Sequence, residues 1–559
     1  MVCFKFLLKV LLIVSCFTGL TVFSNPSIAS AILIDSPDIE ALMDKVLQEK
    51  MEKSHIPNAT VSVVSDGKVI FEKGYGHANL EDQKMVDAEK TMFRMGSVSK
   101  LFTWTAVMQL VEQGSLDLKT DINEYLDFEI PSKLKGGGLR EAEPITLFHL
   151  MTHTPGFEDY ADSIFKLSAD QLLPLREYVR EYMPARVFPP GEVTAYSNYG
   201  TALAGYIVEQ VSGLPFPEYV ERNIYEPLEM KQSTFRQPLS EELSSNMVQA
   251  YRFVDGEYRK GDFEFVPGPA GGMSSTATDM AKFMIAYLQG GKNENGRILE
   301  ERTVQQMFKQ QFTQHPELDG MTLGFMEKTI NNERVLFHGG STTLFDTGVY
   351  LFPDKNVGLF ISYSGSNYLT HTDIFQTFME QYFPSVHTAT PIQAEGAFNR
   401  SKEFAGEYHP NRKSFTTSES LVSLTTGIMI EVNENGDLLV TYAGVTNRFV
   451  ETGEGIYLNT REGTTPDAYG EFRTIAFKED PFGNIMLAVD GPMTYTKAPW
   501  YATSGFTFLS IIVPVLLFAG SLIFWSVASI VRRIKHKKIQ HPKDAIIARS
   551  VAIAFGLFT

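Results

Sequence analysis

The chain has 559 residues and carries 66 Asp and Glu against 49 Lys and Arg, a formal net charge of -17 at pH 7. Proteins that bind nucleic acids rely on clustered Lys and Arg, so this charge balance argues against a nucleic-acid partner. The length exceeds what a single core needs, which predicts two or more folded units together with accessory segments.

The first segment, residues 1–31, has the features of an export signal. Two lysines precede an apolar run over residues 10–23, and small residues at 29–31 offer a cleavage site. An alternative is lipoprotein processing at Cys16, although the apolar stretch before that cysteine is short. The other cysteine, Cys3, also lies in this segment. Cleavage after residue 31 would therefore leave a chain without disulfides or thiolate metal ligands.

A second long apolar segment lies near the other end of the chain. Residues 506–531 contain no charged side chain and are long enough to cross a bilayer as a helix. Trp500 and Tyr501 precede this run as interfacial aromatics, and five Lys and Arg residues follow it within residues 532–538. We expect a cell-membrane protein with an extracytoplasmic catalytic domain. The last segment is predicted to be a basic cytoplasmic tail or the start of a second span.

Residues 36–385 show the pattern of an α+β domain. Strand-like runs at 59–65 and 69–75 flank an Asp-Gly dipeptide that favours a tight hairpin turn. Further strands are predicted between residues 349 and 363, and a helix over residues 372–383 follows them. With several amphipathic helices between the two groups of strands, the prediction is an antiparallel sheet flanked by helices.

The rest of the outer part of the chain has a different composition. Residues 386–402 are rich in Thr, Pro and Ala and are predicted to form a linker. Residues 403–499 contain short strand-like runs, the first over residues 422–432, separated by Gly and Asn turns. This spacing predicts a small antiparallel β domain, either a barrel or a sandwich.

Ser97 and Lys100 have the spacing of a nucleophile and its base on one helix face. Taken alone the pattern is weak, since an N-cap serine and a surface lysine produce it as well, and it recurs at Ser65, Ser132 and Ser163. Ser97 differs from these because a strongly periodic helix follows it, and a helix N-terminus favours negative charge.

Three short motifs in order resemble the serine β-lactamase and penicillin-binding-protein superfamily, in its class C-related branch. A supporting stretch, His-Leu-Met-Thr-His-Thr-Pro-Gly at 149–156, also resembles that branch. A single Tyr-x-Asn is weak evidence, because Tyr457 opens the same pattern in the distal β domain. The three motifs are Ser97-Val98-Ser99-Lys100, Tyr196-Ser197-Asn198 and His338-Gly339-Gly340.

The resemblance implies the β-lactamase/DD-peptidase fold and a role for each motif. Ser97 would form an acyl-enzyme, while Lys100 and Tyr196 would share the general base and acid, each with a pKa shifted towards working pH. Asn198 would hold the amide of the substrate. The backbone N–H groups of Ser97 and Ser341 would form the oxyanion hole.

The third motif departs from the pattern of many relatives. His338 stands where they have the lysine of a Lys-Thr-Gly motif, which leaves less fixed charge to hold a carboxylate. His338 could also be an ordinary strand histidine. Gly340 would allow the substrate backbone to approach the strand closely. The departure weakens the prediction of β-lactam hydrolysis and favours esters or D-amino-acid amides.

The sequence thus predicts a membrane-anchored acyl-serine hydrolase acting on D-Ala-containing peptidoglycan peptides or related D-amino-acid amides and esters. The alternatives are an esterase, including a D-alanyl esterase on wall polymers, and a β-lactamase. The alternative without catalysis is a regulatory module that binds wall fragments. Neither a cofactor nor a metal site is indicated, because no zinc-binding pair or phosphate loop is present.

Overall fold

A computed structural model provides the fold. The predicted signal segment, residues 1–31, lies outside the residues it describes, as does almost all of the chain after residue 535. The described residues are 36–135, 143–160, 164–365, 370–385, 391–460, 472–535 and 550.

A seven-stranded antiparallel sheet forms the centre of the first unit, in the order β3-β2-β1-β11-β10-β9-β8. The Asp66-Gly67 turn joins β1 and β2, and both residues have the positive φ angles that a tight hairpin requires. Two small ribbons, β4-β7 and β5-β6, lie outside the sheet. The strands are β1 (Asn58–Ser65), β2 (Lys68–Asn79), β3 (Lys84–Met85), β4 (Phe93–Arg94), β5 (Tyr251–Val254), β6 (Glu257–Lys260), β7 (Ser274–Ser275), β8 (Met326–Ile330), β9 (Glu333–Ser341), β10 (Phe345–Phe352) and β11 (Val357–Ser364).

Helices cover both faces of this sheet, as predicted for an α+β fold. Helices α1 and α12 pack together against one face, while α10 and the helices around α2 and α5 form a larger core on the other. The helices of this unit are α1 (Ser36–Ser54), α2 (Ser99–Glu112), α3 (Leu147–Met151), α4 (Leu175–Glu181), α5 (Asn198–Ser212), α6 (Phe216–Val220), α7 (Glu226–Leu228), α8 (Glu241–Ser244), α9 (Gly268–Gly271), α10 (Ala277–Leu288), α11 (Glu301–Phe308) and α12 (Thr370–Tyr382).

The distal β domain is a closed barrel of eight antiparallel strands with its own apolar core. Closure pairs the first strand, β12, with the last, β19, so that the barrel has no free edge. The strands are β12 (Gly406–Pro410), β13 (Ile428–Val432), β14 (Leu438–Tyr442), β15 (Val445–Gly453), β16 (Ile456–Asn459), β17 (Thr474–Glu479), β18 (Ile485–Val489) and β19 (Thr494–Lys497).

Two details around the barrel differ from the sequence prediction. The C-terminal part of the predicted linker belongs to helix α13 (Ala397–Phe404), because Ser401 is buried and Phe404 stacks on Phe477 of the barrel. The first predicted strand run, residues 422–432, is strand only from Ile428, since Ser418–Thr425 forms a 3-10 helix. Side-chain contacts with the barrel decide these cases more than local composition does.

The last described element is helix α14 (Ser504–Ile534), which contains the predicted transmembrane segment. Its portion Ser504–Val531 is long and apolar enough to cross a membrane and is not buried against the rest of the protein. Glu407 of the barrel accepts hydrogen bonds from the backbone N–H and the hydroxyl of Ser504, at 2.8 and 3.0 Å. The start of the helix is therefore fastened to the barrel wall.

Candidate active site

Ser97 lies on the turn that joins strand β4 to helix α2. Residues Gly96–Val98 form one 3-10 turn, and α2 continues from Ser99. Gly96 has a φ of +51°, in the left-handed region that glycine adopts at little cost. Ser97 is partly accessible, whereas Lys100 is fully buried. One helical turn thus places the lysine beneath a serine that remains open to a substrate.

The amine of Lys100 has three neutral hydrogen-bond partners. Its Nζ donates to Ser97 Oγ at 3.1 Å, to Asn198 Oδ1 at 2.8 Å and to the carbonyl oxygen of Ala270 at 2.5 Å. Burial lowers the pKa of Lys100 well below its usual value, and the positive charge of Arg412 lowers it further. A neutral amine has only two N–H donors, so in that form Lys100 donates to Asn198 and Ala270 and its lone pair can accept the proton of Ser97.

Tyr196 brings its phenol to the same place from a distant part of the chain. Its ring centre is 4.9 Å from Lys100 Nζ, and Ser97 lies close enough to stabilise a phenolate. Among the described residues, its hydroxyl has no hydrogen bond of ordinary geometry. Burial nevertheless raises the pKa of Tyr196 above 10 and outweighs the effect of Ser97. The expected shift towards neutral pH is therefore wrong for the tyrosine, while the direction is right for the lysine.

Asn198 is the first residue of α5, and the cap of that helix fixes its position. The hydroxyl of Ser197 accepts a hydrogen bond from the N–H of Gly200 at 3.0 Å, which satisfies one free donor of the helix end. The side-chain oxygen of Asn198 accepts from Lys100, so its NH₂ group is the side that can donate to a carbonyl.

Strand β9 passes unusually close to the Ser97 turn. A Cβ atom on Gly340 would lie 2.1 Å from the carbonyl oxygen of Met95 and 2.8 Å from the nitrogen of Ser97. A Cβ atom on Gly96 would lie 2.8 Å from the nitrogen of Ser341. Only glycine fits at both positions, and the two backbone N–H groups predicted for the oxyanion hole lie at this junction.

His338, the first residue of the third motif, is buried and neutral. Its Nδ1 lies 2.7 Å from the carbonyl oxygen of Gly339, which can only accept, so Nδ1 carries the proton. Burial, followed by the charge of Lys100, lowers the pKa of His338 to about 3. Its Nε2 lacks a partner among the described residues, and its ring centre is 6.3 Å from that of Tyr196. The third motif contributes no positive charge.

The side chain of Ser341 belongs to a buried polar network around Asp346. Its Oγ donates to Asp346 Oδ1 at 2.5 Å, and Asp346 Oδ2 is shared by Tyr363 and His371 at 2.6 Å each. The site can therefore use the backbone of Ser341 while its hydroxyl holds the end of β9 in place.

His153, to which the motifs assign no role of its own, lies directly against Tyr196. The two ring centres are 4.3 Å apart, and His153 Nδ1 accepts from the backbone N–H of Ser197 at 3.2 Å. His153 is buried and has a positive φ of 54°, a strained conformation for histidine. Its sole signal in the sequence was membership of the stretch at 149–156.

Arg412, from the barrel, is the second residue that sequence reasoning missed. Its guanidinium carbon lies 4.8 Å from the ring centre of Tyr196, and its Nε donates to Asp159 Oδ2 at 2.8 Å. The backbone N–H of Tyr196 also donates to the barrel, to the carbonyl oxygen of Pro492 at 3.1 Å. No local motif marks Arg412, because docking of a separate domain brings it to the site.

The fold and the site define a class of protein. A sheet flanked by helices, with a partly exposed serine one helical turn before a buried lysine, is the arrangement of the β-lactamase and penicillin-binding-protein fold. Within the part of the chain that the structure describes, no group of three or more His, Cys, Asp or Glu residues is placed to hold a metal ion.

The Beta-lactamase family model matches residues 43–372, and the chain belongs to that family. Residues 43–372 thus form a serine-hydrolase-type domain of this fold. The family match does not distinguish the class C-related branch, which stays a prediction.

Relatives and solved structures support the same family and fold. Protein flp of Staphylococcus aureus strain N315 is 25% identical over 327 residues, which cover 58% of this chain and 63% of the flp chain. A Beta-lactamase of Yersinia enterocolitica is 28% identical over 274 residues, 49% of this chain and 65% of that protein.

Two solved structures cover most of the chain. The octameric penicillin-binding protein homologue from Pyrococcus abyssi aligns with 82% of this chain and 100% of its own, at 22% identity and a TM-score of 0.53. SurE with D-Leu aligns with 82% of this chain and 99% of its own, at 20% identity and a TM-score of 0.56. At these identities the likeness concerns the fold.

Proposed function

We propose that this protein is a membrane-anchored, extracytoplasmic acyl-serine hydrolase that acts on peptides ending in D-Ala or on related D-amino-acid amides and esters. The observation that carries the proposal is the contact between Lys100 Nζ and Ser97 Oγ at 3.1 Å, with the phenol of Tyr196 beside both. A lysine that was merely a surface charge would not be buried against neutral partners.

In the proposed acylation step, Ser97 Oγ attacks the carbonyl carbon of the substrate and its proton passes to the neutral amine of Lys100. The N–H groups of Ser97 and Ser341 stabilise the oxygen that becomes negative. Tyr196, which stays protonated, donates its proton to the leaving amine or alkoxide and regains one from Lys100. Water then hydrolyses the acyl-enzyme by the same groups in reverse order.

The substrate class rests on the family and on the fold neighbours. A penicillin-binding protein homologue shares the fold along its whole length, and SurE, with the same fold, has been solved with a D-amino acid. Asn198, with its NH₂ group facing outward from Lys100, is suited to hold the amide of an acyl-D-amino acid. Gly340 lets such a backbone lie along β9.

The cellular position follows from the two ends of the chain. The signal-like segment at residues 1–31 and the unburied apolar helix at Ser504–Val531 support export followed by anchoring. The basic residues that follow residue 531 are typical of a cytoplasmic flank, which supports an outward-facing Ser97.

One experiment tests chemistry and position together. Intact cells expressing the full chain are treated with a membrane-impermeant fluorophosphonate or a labelled β-lactam, and the adduct is mapped, with Ser97→Ala as the control. We expect both reagents to label Ser97, and the purified enzyme to release D-Ala from a D-Ala-D-Ala peptide. Absence of any adduct in cells and in detergent would overturn the enzyme proposal and favour a binding module.

An esterase is the second candidate, and His338 is the observation that favours it. A neutral histidine in the third motif provides no cation for the carboxylate that β-lactams and D-Ala-D-Ala peptides carry. Rapid turnover of a neutral D-alanyl ester, without penicillin labelling or peptide cleavage, would select this alternative.

A further inference from the structure

A cavity lies where the barrel, the sheet unit and the start of α14 meet. Its volume is about 280 Å³, close to the lower end of the roughly 300–1,000 Å³ range of small-molecule sites. Lys135 lines it from the sheet unit, Lys413 and Lys497 line it from the barrel, and Pro499 and Ala502 line it just before α14. Within its described lining, no residue belongs to the three catalytic motifs, so it is distinct from the Ser97 site.

The cavity has an excess of positive charge. Three lysines line it, against the single carboxylate of Asp480. That carboxylate already accepts hydrogen bonds from the backbone N–H groups of Phe482 and Asn484, at 2.8 and 2.9 Å. The nearby carboxylate of Glu407 accepts from Nε2 of His409 at 2.7 Å. Both carboxylates are therefore held by other partners, and the lysines still outnumber them.

Lys413 is the lining residue that most needs a counter-ion. Within the described part of the chain its ammonium makes no hydrogen bond or ion pair, and it lies 5.0 Å from the ring centre of Phe415. Burial lowers the pKa of Lys413, and no charged neighbour offsets that effect. A partly buried ammonium without a counter-charge is unfavourable, and an anion in the cavity would remove that cost.

The rest of the lining suits an amphipathic anion. The ammonium of Lys497 donates to the carbonyl oxygen of Glu403 at 2.6 Å, which uses one of its three N–H donors. Three aromatic rings lie beside the lysines, those of Phe188, Phe415 and Phe482. A lining of ammonium groups and apolar rings matches a ligand that has both a phosphate and an apolar part.

The position of the cavity next to α14 indicates where such a ligand would come from. Ala502 is two residues before Ser504, the first residue of α14, so the two lie at most about 7 Å apart. The headgroup layer on each side of a bilayer is about 5–7 Å thick. Trp500 and Tyr501, between two lining residues, are exposed, as aromatics at a membrane interface are. With α14 in a membrane, the cavity would lie at the level of the headgroups.

We propose that this cavity is a binding site for an anionic phospholipid, in which Lys413, Lys497 and Lys135 hold the headgroup phosphate. The inference goes beyond catalysis and rests on the membrane anchoring in the proposed function. Lysine binds phosphate as a point charge, and basic pockets beside membrane helices bind lipid headgroups. The bound lipid would contact the loop that carries Arg412 and would join the barrel to the bilayer.

The first test measures protection of one lysine. The full chain in detergent micelles containing either phosphatidylglycerol or phosphatidylcholine is briefly acetylated, and the modified lysines are mapped by mass spectrometry. Lys413 should react several-fold more slowly with phosphatidylglycerol. Lys402 is the internal control, because it also lies over a ring, 3.9 Å from the centre of Phe398, but does not line the cavity. Equal acetylation of Lys413 in both lipids would overturn the site.

The second test measures retention of phosphatidylglycerol by native mass spectrometry. Lys413→Gln should weaken binding roughly 5-fold, and the double variant Lys413→Gln/Lys497→Gln roughly 30-fold, the size expected for one and two lysines near an anionic lipid. Lys402→Gln should bind as the wild type does. Unchanged binding in the double variant would contradict the proposal. If a variant does not fold, as its melting curve would show, acetylation of the wild type decides.

Soluble phosphates distinguish a lipid from other anions. Inorganic phosphate or glycerol 3-phosphate that protects Lys413 as well as phosphatidylglycerol does would show a site for free phosphate and would overturn the lipid assignment. Fluorophosphonate labelling of Ser97 in the same samples tests the hydrolase separately. Labelling without a lipid preference at Lys413 removes only the lipid site, whereas a lipid preference without labelling removes only the hydrolase.

Discussion

The two sides of the active centre are built in different ways. The Ser97 side depends on one helical turn, in which a three-residue spacing brings Lys100 to the serine. The Arg412 side depends on a loop of another domain, held by Glu158 and Asp159. The difference indicates that the contact between Ser97 and Lys100 is encoded locally, whereas the positive charge beside Tyr196 comes from domain docking.

The largest effect is expected when the nucleophile on the Ser97 side is removed. Ser97→Ala should reduce turnover of a D-Ala-D-Ala peptide by roughly 1,000-fold or more, because no nucleophile remains to form the acyl-enzyme. Release of D-Ala is the measurement. Ser132→Ala is the control, since Ser132 with Lys135 has the same spacing and lies exposed, away from α2. Similar activity in both variants would contradict the assignment.

Removal of one oxygen from Tyr196 should have a smaller effect. Tyr196→Phe keeps the ring that contacts Lys100 and Arg412 but loses the proton donor, so kcat should fall roughly 100- to 1,000-fold. Tyr457→Phe is the control, because Tyr457 opens the similar Tyr-x-Asn pattern in the barrel and binds Ser401 instead. If kcat were unchanged in Tyr196→Phe, proton transfer would have to use another group.

The dependence of activity on pH tests whether the charge of Arg412 acts on Lys100. Lys100 acts as a base when neutral, so kcat/KM for a neutral ester should rise with pH and be lost as pH falls through the lowered pKa of Lys100. The charge of Arg412 contributes to that lowering. Arg412→Gln should therefore move the ascending limb to higher pH, while Arg448→Gln, which breaks a similar ion pair with Asp437 of the barrel, should leave it in place. A shift of the ascending limb to lower pH in Arg412→Gln would contradict an effect of the Arg412 charge on the pKa of Lys100.

The smallest expected effect concerns the docking of the barrel. Asp490 accepts from the backbone N–H of Asp319 at 3.0 Å across the junction, and burial followed by the charge of Asp319 raises the pKa of Asp490 to about 7. In the unfolded chain the pKa of an Asp side chain is about 3.9. The stability that protonated Asp490 provides is thus complete below pH 4 and lost as pH rises through about 7.

Asp490→Asn should keep the hydrogen bond without the charge. We expect the variant to be more stable than the wild type at pH 8, because it removes a buried negative charge. The gain in the free energy of unfolding should be only about 1 kcal/mol, since Asp490 keeps some contact with water that screens its charge. The gain should shrink towards pH 5. Thermal melts at both pH values measure it, and an equal gain at both would point to a cause other than the charge.

Much of the fold could be predicted from periodicity and turns. The hairpin around Asp66-Gly67, the C-terminal helix of the sheet unit and the β-rich distal domain are all present. The closed barrel could not be chosen over a sandwich, because closure depends on the pairing of β12 with β19, which are remote in sequence. Short spacings and ordered motifs are visible in a sequence, but domain contacts are not.

The same limit applies to the site. The structure brings Ser97, Lys100, Tyr196 and Asn198 together, as the motifs predict, although their roles stay predictions. His153 and Arg412 have no pattern of their own and take their positions from packing around Tyr196. The raised pKa of Tyr196 could not be predicted from the sequence either, because it results from burial that exists only in the folded chain.

With the last helix in a membrane, as proposed, its junction with the barrel would limit the distance between Ser97 and the lipid. Only six residues separate the end of β19 at Lys497 from Ser504, and Glu407 accepts a hydrogen bond from the backbone N–H of Ser504. The barrel is therefore joined to the last helix by a short connection. In an enzyme anchored in this way, Ser97 would act only within a thin layer just above the lipid. Acyl donors attached to the membrane or newly exported would meet Ser97 more often than material deep in the wall.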